Sequence, residues 1–230
     1  MKLLLFFVGI LLLPVCAAVT LAAVSLVGLL QTGGTAVVPP SAWALGGGYA
    51  LWLLVYFTLP RPVRTYVLAH ELTHALWGWL TGARVLHMQV SKASGSVTLS
   101  KSNLLVALAP YFFPLYTVLA IAGYYATSIF LEVERYYLAW LGIVGFTWGF
   151  HFTFTVTTLM QHQSDIREYG RLFSYAVIYA LNVLGICLWV VLVSSLTLDQ
   201  MVQTLQDRFI TVTRRCLDGV SRLSGTLQAR

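Results

Sequence analysis

Acidic side chains are scarce in this chain: eight Asp and Glu stand against fourteen Lys and Arg, and charged residues make up only 10% of 230. With 58% hydrophobic residues, that scarcity excludes an ordinary soluble domain, in which about a quarter of residues carry charge. Cysteine is also sparse. Cys16, Cys187 and Cys216 stand far apart without Cys-x-x-Cys spacing, so neither a disulfide framework nor a thiolate metal site is supported. No basic patch interleaved with aromatics is present, and the net charge of +6 therefore does not point to nucleic acid. Anionic lipid head groups account for it.

What is present is a series of apolar runs of about twenty residues, each long enough to cross a bilayer. They predict an all-α polytopic membrane protein with six transmembrane helices, at about 3–30, 42–59, 62–81, 103–126, 136–160 and 171–196. Residues 1–196 read as a single transmembrane domain. At the N-terminus, Lys2 and the apolar residues after it resemble a secretory signal, and Leu13-Pro14-Val15-Cys16 resembles a lipoprotein cleavage site. The apolar run continues to about Leu30, longer than a signal core, so an uncleaved first helix is expected. From 197 to 230, Val202, Leu205, Phe209, Val212, Cys216, Val220, Leu223 and Leu227 recur at spacings of three and four. This tail is expected to be an amphipathic helix, lying in the interface or packed as a coiled coil.

Between Arg64 and Arg84 the sole formal charge is Glu71, and it lies within His70-Glu71-Leu72-Thr73-His74. On a helix, His-Glu-x-x-His sets two imidazoles one turn apart on one face, where they chelate a single zinc beside the intervening carboxylate. A carboxylate inside an apolar span is costly and is read as functional. If the helix starts near Pro62, His70 lies about 12 Å along it, below the lipid head groups but short of the bilayer centre.

The polar connection that follows, 85–100, alternates in character. Leu86, Met88 and Val90 share one face, as do Val97 and Leu99, around a turn-rich Ser91-Lys92-Ala93-Ser94-Gly95. A small β-hairpin and a solvated loop fit equally. In the helix expected at 103–126, Pro110 and Pro114 release backbone carbonyls, which is tolerated inside a protein or beside a wet cavity.

A catalytic zinc needs a third protein ligand. Asp199, Asp207 and Asp218 belong to the amphipathic tail, and Glu132 and Glu134 flank Arg135 in an interfacial loop. Asp165 is the strongest candidate. It ends a stretch free of formal charge from 136 to 164, within a polar segment, 161–170. With Glu168 it also fits a capping pair that starts the next helix, and the two roles are compatible. For stabilising an oxyanion, His151, His162, Gln161, Gln163 and Asn182 are all conceivable. A hydrogen-bonded interhelical role is the simpler one for His151, and an interfacial polar role for His162. His87 is expected at the hairpin surface.

The apolar His70-Glu71-Leu72-Thr73-His74 helix, the hairpin-compatible segment after it and a distal Asp165 resemble the site-2 protease group of intramembrane zinc metallopeptidases, over roughly residues 62–190. The resemblance implies one zinc ion held by His70, His74 and Asp165, with Glu71 as the base that activates water. It implies a substrate that is a membrane-embedded or membrane-adjacent protein, unwound locally before cleavage. In the family the distal motif commonly reads Asp-Gly with Asn and Pro upstream. Here Asp165 is followed by Ile166-Arg167, and the Gln163-Ser164-Asp165 context resembles a divergent bacterial branch, hence a multi-pass protein of a bacterial cytoplasmic membrane. Two other readings stand beside this one. The first is a membrane-anchored zinc peptidase with Glu132 or Glu134 as third ligand, cutting soluble or juxtamembrane chains. The second is a non-proteolytic membrane scaffold of the same fold.

Overall fold

The structure is a computed structural model that describes residues 2–32, 38–91 and 94–228. It is mostly helical and divides into two compact units, Val38–Glu168 and the pair Met1–Val37 with Tyr169–Arg230. Nine α-helices and one two-stranded sheet are present among the described residues.

The second of these units joins both ends of the chain. Helix α1 (Lys2–Thr32) packs along α8 (Arg171–Leu192) and α9 (Leu198–Gln228). Leu26, Cys187, Val191 and Met201 form its buried cluster. Gly9 lets the backbone of α1 approach Phe173, where an added Cβ would lie 2.9 Å from the Phe173 nitrogen. The expected amphipathic tail is present as α9, and it packs against α1. Met201 and Val212 are buried, whereas Val202 and Phe209 of the predicted stripe are exposed. The side chains of Val220, Leu223 and Leu227 lie outside the described residues.

The other unit holds the rest. Helices α2 (Pro40–Thr58) and α6 (Tyr137–Leu159) lie close together because glycines face backbone across the seam. A Cβ on Gly48 would collide with the Gly142 carbonyl, and one on Gly145 with that of Leu45. Small residues that let helix backbones approach are how helices pair in lipid, where no hydrophobic force separates them from the tails. Beside the seam, Trp52, Tyr56, Phe150 and Phe154 enclose Tyr66 of α3 (Val63–Leu80), whose ring stacks on Phe154 at 4.7 Å.

The hairpin forms. Strands β1 (Val85–Val90) and β2 (Gly95–Leu99) pair antiparallel, with Met88 opposite Val97 and Val90 opposite Gly95. A register shift between Val85 and His87 displaces Leu86 from the alternation, and Leu86 is exposed. Lys92 and Ala93 of the expected turn lie outside the described residues.

The single helix expected at 103–126 is two. Helix α4 (Leu104–Phe112) and α5 (Leu115–Ser128) meet at a 77° bend. Proline at 114 offers no N–H and disfavours helical geometry in the residue before it. Phe113 is accordingly extended, at φ −101° and ψ 104°. A 3-10 turn at Glu134–Tyr136 precedes α6, and the polar segment after α6 contains a short helix, α7 (Ser164–Tyr169), ended by Gly170 at φ 89°.

Two described helices, α1 over Lys2–Leu29 and α8, are long and apolar enough to cross a membrane, and a third span results if the bent α4–α5 pair counts as one. That is fewer than the six expected. The motif helix is the clearest case: its Arg, His, Glu and Thr residues lower its apolar character.

Candidate metal centre

Helix α3 presents His70 and His74 one turn apart, and their Nε2 atoms lie 3.3 Å from each other. The chain breaks after α6, and the turn into α7 brings the Asp165 carboxylate to the same place. Asp165 Oδ2 is 3.7 Å from His70 Nε2 and 3.5 Å from His74 Nε2. The point equidistant from the three atoms lies about 2.0 Å from each, which is the ordinary distance from zinc to imidazole nitrogen or carboxylate oxygen. Two imidazoles and one carboxylate form a donor set suited to zinc. The residues present therefore fit the ion. Among the described residues this is the one group of three or more His, Cys, Asp and Glu side chains close enough to share a metal.

Each of the three candidate ligands has an outer partner. His74 Nδ1 donates to the carbonyl of Val106 at 2.8 Å, and because a carbonyl can only accept, the lone pair of that ring falls on Nε2. His70 Nδ1 lies 3.3 Å from Tyr66 Oη, so the aromatic cluster that grips Tyr66 also steadies His70. Tyr111 donates to Asp165 Oδ2 at 3.0 Å, and Ser164 Oγ to Oδ1 at 3.2 Å. Asp165 lies in the first turn of α7, and its carboxylate is turned toward the imidazoles. Burial by itself raises the Asp165 carboxyl, but hydrogen bonding to His70 and His74 outweighs it and holds the group below the usual carboxylate range.

Glu71 is buried beside the pair, and β2 lies across it. A Cβ on Gly95 would sit 2.6 Å from Glu71 Cγ and 2.7 Å from Val67 Cγ1. Two turns along the helix, Leu99 rests on Gly78 in the same manner. The strand thus follows α3 with a glycine at each point of closest approach. Two grooves meet at Glu71 and Gly95. One, of about 380 Å³, is bounded by Arg61, Val67, Phe154 and Gln161; the other, of about 320 Å³, by Ser96, Val97, Asp165 and Glu168.

The remaining candidates are placed as follows. His151 on α6 is buried and lines a small cavity together with His70, but its Nε2 has no hydrogen-bond partner among the described residues, contrary to the interhelical bond expected of it. His162 and His87 are exposed. Gln163 borders both grooves and Gln161 one. Asn182 belongs to α8 in the other unit, where Nδ2 donates to the Ile178 carbonyl. Glu132 and Glu134 are exposed and are not in the ligand group. Sequence reasoning missed Tyr66, Tyr111 and Val106. The spacing of Tyr66 four residues before His70 was a usable signal for the first, and nothing local marks the other two.

Comparison with known families finds that residues 44–144 match the family model described as Peptidase M50B-like. The match takes in α3, the hairpin, α4 and α5, and supports both the site-2 protease resemblance and a membrane metallopeptidase. Curated proteins and solved structures give no match.

Proposed function

With the Peptidase M50B-like match over residues 44–144 as premise, we propose that this protein is an intramembrane zinc endopeptidase that hydrolyses peptide bonds of membrane-embedded or membrane-adjacent proteins. The observation that carries the reading is the triangle of His70 Nε2, His74 Nε2 and Asp165 Oδ2, with edges of 3.3, 3.5 and 3.7 Å, beside Glu71. Zinc held by these atoms supplies Lewis-acid activation of water and of the scissile carbonyl. Glu71 takes a proton from the attacking water as the new C–O bond forms, then delivers it to the leaving nitrogen as the C–N bond breaks. Val106 and Tyr66 hold the imidazoles, and Tyr111 holds the carboxylate, so the ligand set is ordered before substrate arrives.

An extended substrate segment fits along β2, which lines the second groove from Gly95 to Leu99 and can add a strand by main-chain hydrogen bonds. Gln163 at the meeting of the grooves is placed to contact the scissile region. Helices α2, α3 and α6, of 19, 18 and 23 residues, complete a multi-pass arrangement in this reading. At 1.5 Å per residue they measure about 27 to 35 Å, near the thickness of a hydrocarbon core.

The test uses purified full-length protein, its zinc stoichiometry and cleavage of a transmembrane peptide panel. Glu71→Gln is expected to keep one zinc and lose cleavage. Asp165→Ala is expected to lose zinc, and a variant that retained it would return the third ligand to Glu132 or Glu134. Full biological activity in Glu71→Gln would favour the scaffold reading.

A further inference from the structure

A carbonyl inside a helix is normally occupied by the N–H four residues later. In α4 the carbonyl of Val106 therefore belongs to residue 110, which is proline and has no N–H. His74 Nδ1 takes the vacant acceptor at 2.8 Å. The N–H of Val106 is in turn bonded at 3.0 Å by the side chain of Asn103, the residue that caps the helix, so the acceptor is anchored through its own backbone. One residue beyond the proline, Tyr111 donates to Asp165 Oδ2. A helix of nine residues thus orients two of the three ligand side chains.

We propose that Pro110 is a positioning residue of the metal centre: by withholding an N–H it reserves the Val106 carbonyl for His74 and fixes that imidazole as the tautomer whose Nε2 faces the ion. The inference rests on the metal-binding reading above. With an N–H at position 110 the carbonyl would be drawn into the helical ladder, and its lone pairs would be shared between two donors. The bend of the chain does not explain this proline, because the break falls at Phe113 and Pro114. Alanine suits a helix interior far better than proline does, so a loss of metal affinity on making that change cannot be laid to poor helix formation.

Zinc and cobalt(II) titrations of the detergent-solubilised full chain test the proposal in Pro110→Ala and in Pro110→lactic acid. Lactic acid has the alanine side chain with an ester oxygen in place of the N–H. Pro110→Ala is expected to bind about 10- to 100-fold more weakly, the usual effect of losing an outer partner, and to shift the visible cobalt bands. The lactic acid variant is expected to recover wild-type affinity and spectrum. Unchanged affinity and spectrum in Pro110→Ala would overturn the proposal. Equal losses in both variants would also overturn it, because the ring and not the missing N–H would then be the cause. Wild-type protein that binds no ion through His70 and His74 would instead sink the metal-binding reading itself.

Discussion

At Gly95 the hairpin comes closest to the motif helix, and the residue has no room for a side chain. A methyl group there meets the middle of the Glu71 side chain at 2.6 Å and a branch of Val67 at 2.7 Å, neither of which yields without moving Glu71 or lifting β2. Gly95→Ala is therefore expected to keep its zinc and lose at least about tenfold in single-turnover cleavage, in line with the cost of misplacing a reacting group. Gly78→Ala is the comparison, because its methyl meets only the flexible end of Leu99, at 2.7 Å. Protons compete with metal at the same centre. Asp165 is held below the ordinary carboxylate range, so it stays ionised while the imidazoles take up protons. Zinc affinity is therefore expected to fall with falling pH as the two imidazoles take up protons, with a slope approaching two protons per ion. A slope that never exceeds one proton per ion would contradict the joint role of the two imidazoles.

Among the elements, the α2–α6 seam carries the heaviest constraint. Gly48 faces the Gly142 carbonyl, Gly145 faces that of Leu45, and Gly149 meets Trp52. Above the glycines, Trp52 donates to Thr153 and Tyr56 pairs with Thr157, joining the two helices by side-chain hydrogen bonds. Because α6 leads directly into the turn that delivers Asp165, separating the pair disturbs the ligand set as well as the fold. Gly145→Leu is expected to cost about 1–3 kcal/mol or more, as overpacking does. It should appear as a lower thermal midpoint in detergent together with weaker zinc binding. Helix α3 falls outside the helices apolar enough to cross a membrane by composition, because of the polar residues it carries. It buries Glu71, Thr73 and His74, so these three polar side chains are covered by neighbouring elements.

For the whole molecule, the three native cysteines report on burial without any engineering. Cys187 is fully buried against Leu26, Cys16 is half-buried with its thiol on the Ala176 carbonyl, and Cys216 is exposed on α9. A membrane-impermeant maleimide is expected to label Cys216 in the folded protein and Cys187 only after denaturation. Applied to sealed vesicles of known orientation, the same reagent reports the side of the membrane on which α9 lies. Rapid labelling of Cys187 in the folded state would contradict the packing of α1 on α8. That packing joins segments more than a hundred residues apart, and no local pattern in either helix announces it.

Local chemistry made much of this protein legible in its sequence. Apart from the α4–α5 break and the short α7, the apolar runs marked the helices to within a few residues; alternation raised the hairpin only to parity with a solvated loop, and the spacing of His70 and His74 put two imidazoles on one helical face. Those features depend on periods of two and 3.6 residues and need no knowledge of distant chain. Charge scarcity went one step further, since so few carboxylates remained that Asp165 stood out. The tertiary structure decided what periodicity cannot reach: the break between α4 and α5, the glycine seam, the closing of β2 over Glu71, and the contacts of Val106, Tyr66 and Tyr111 with His74, His70 and Asp165. Each depends on backbone approach or on a hydrogen bond across helices, and such contacts are set by packing between segments that carry no mark of one another.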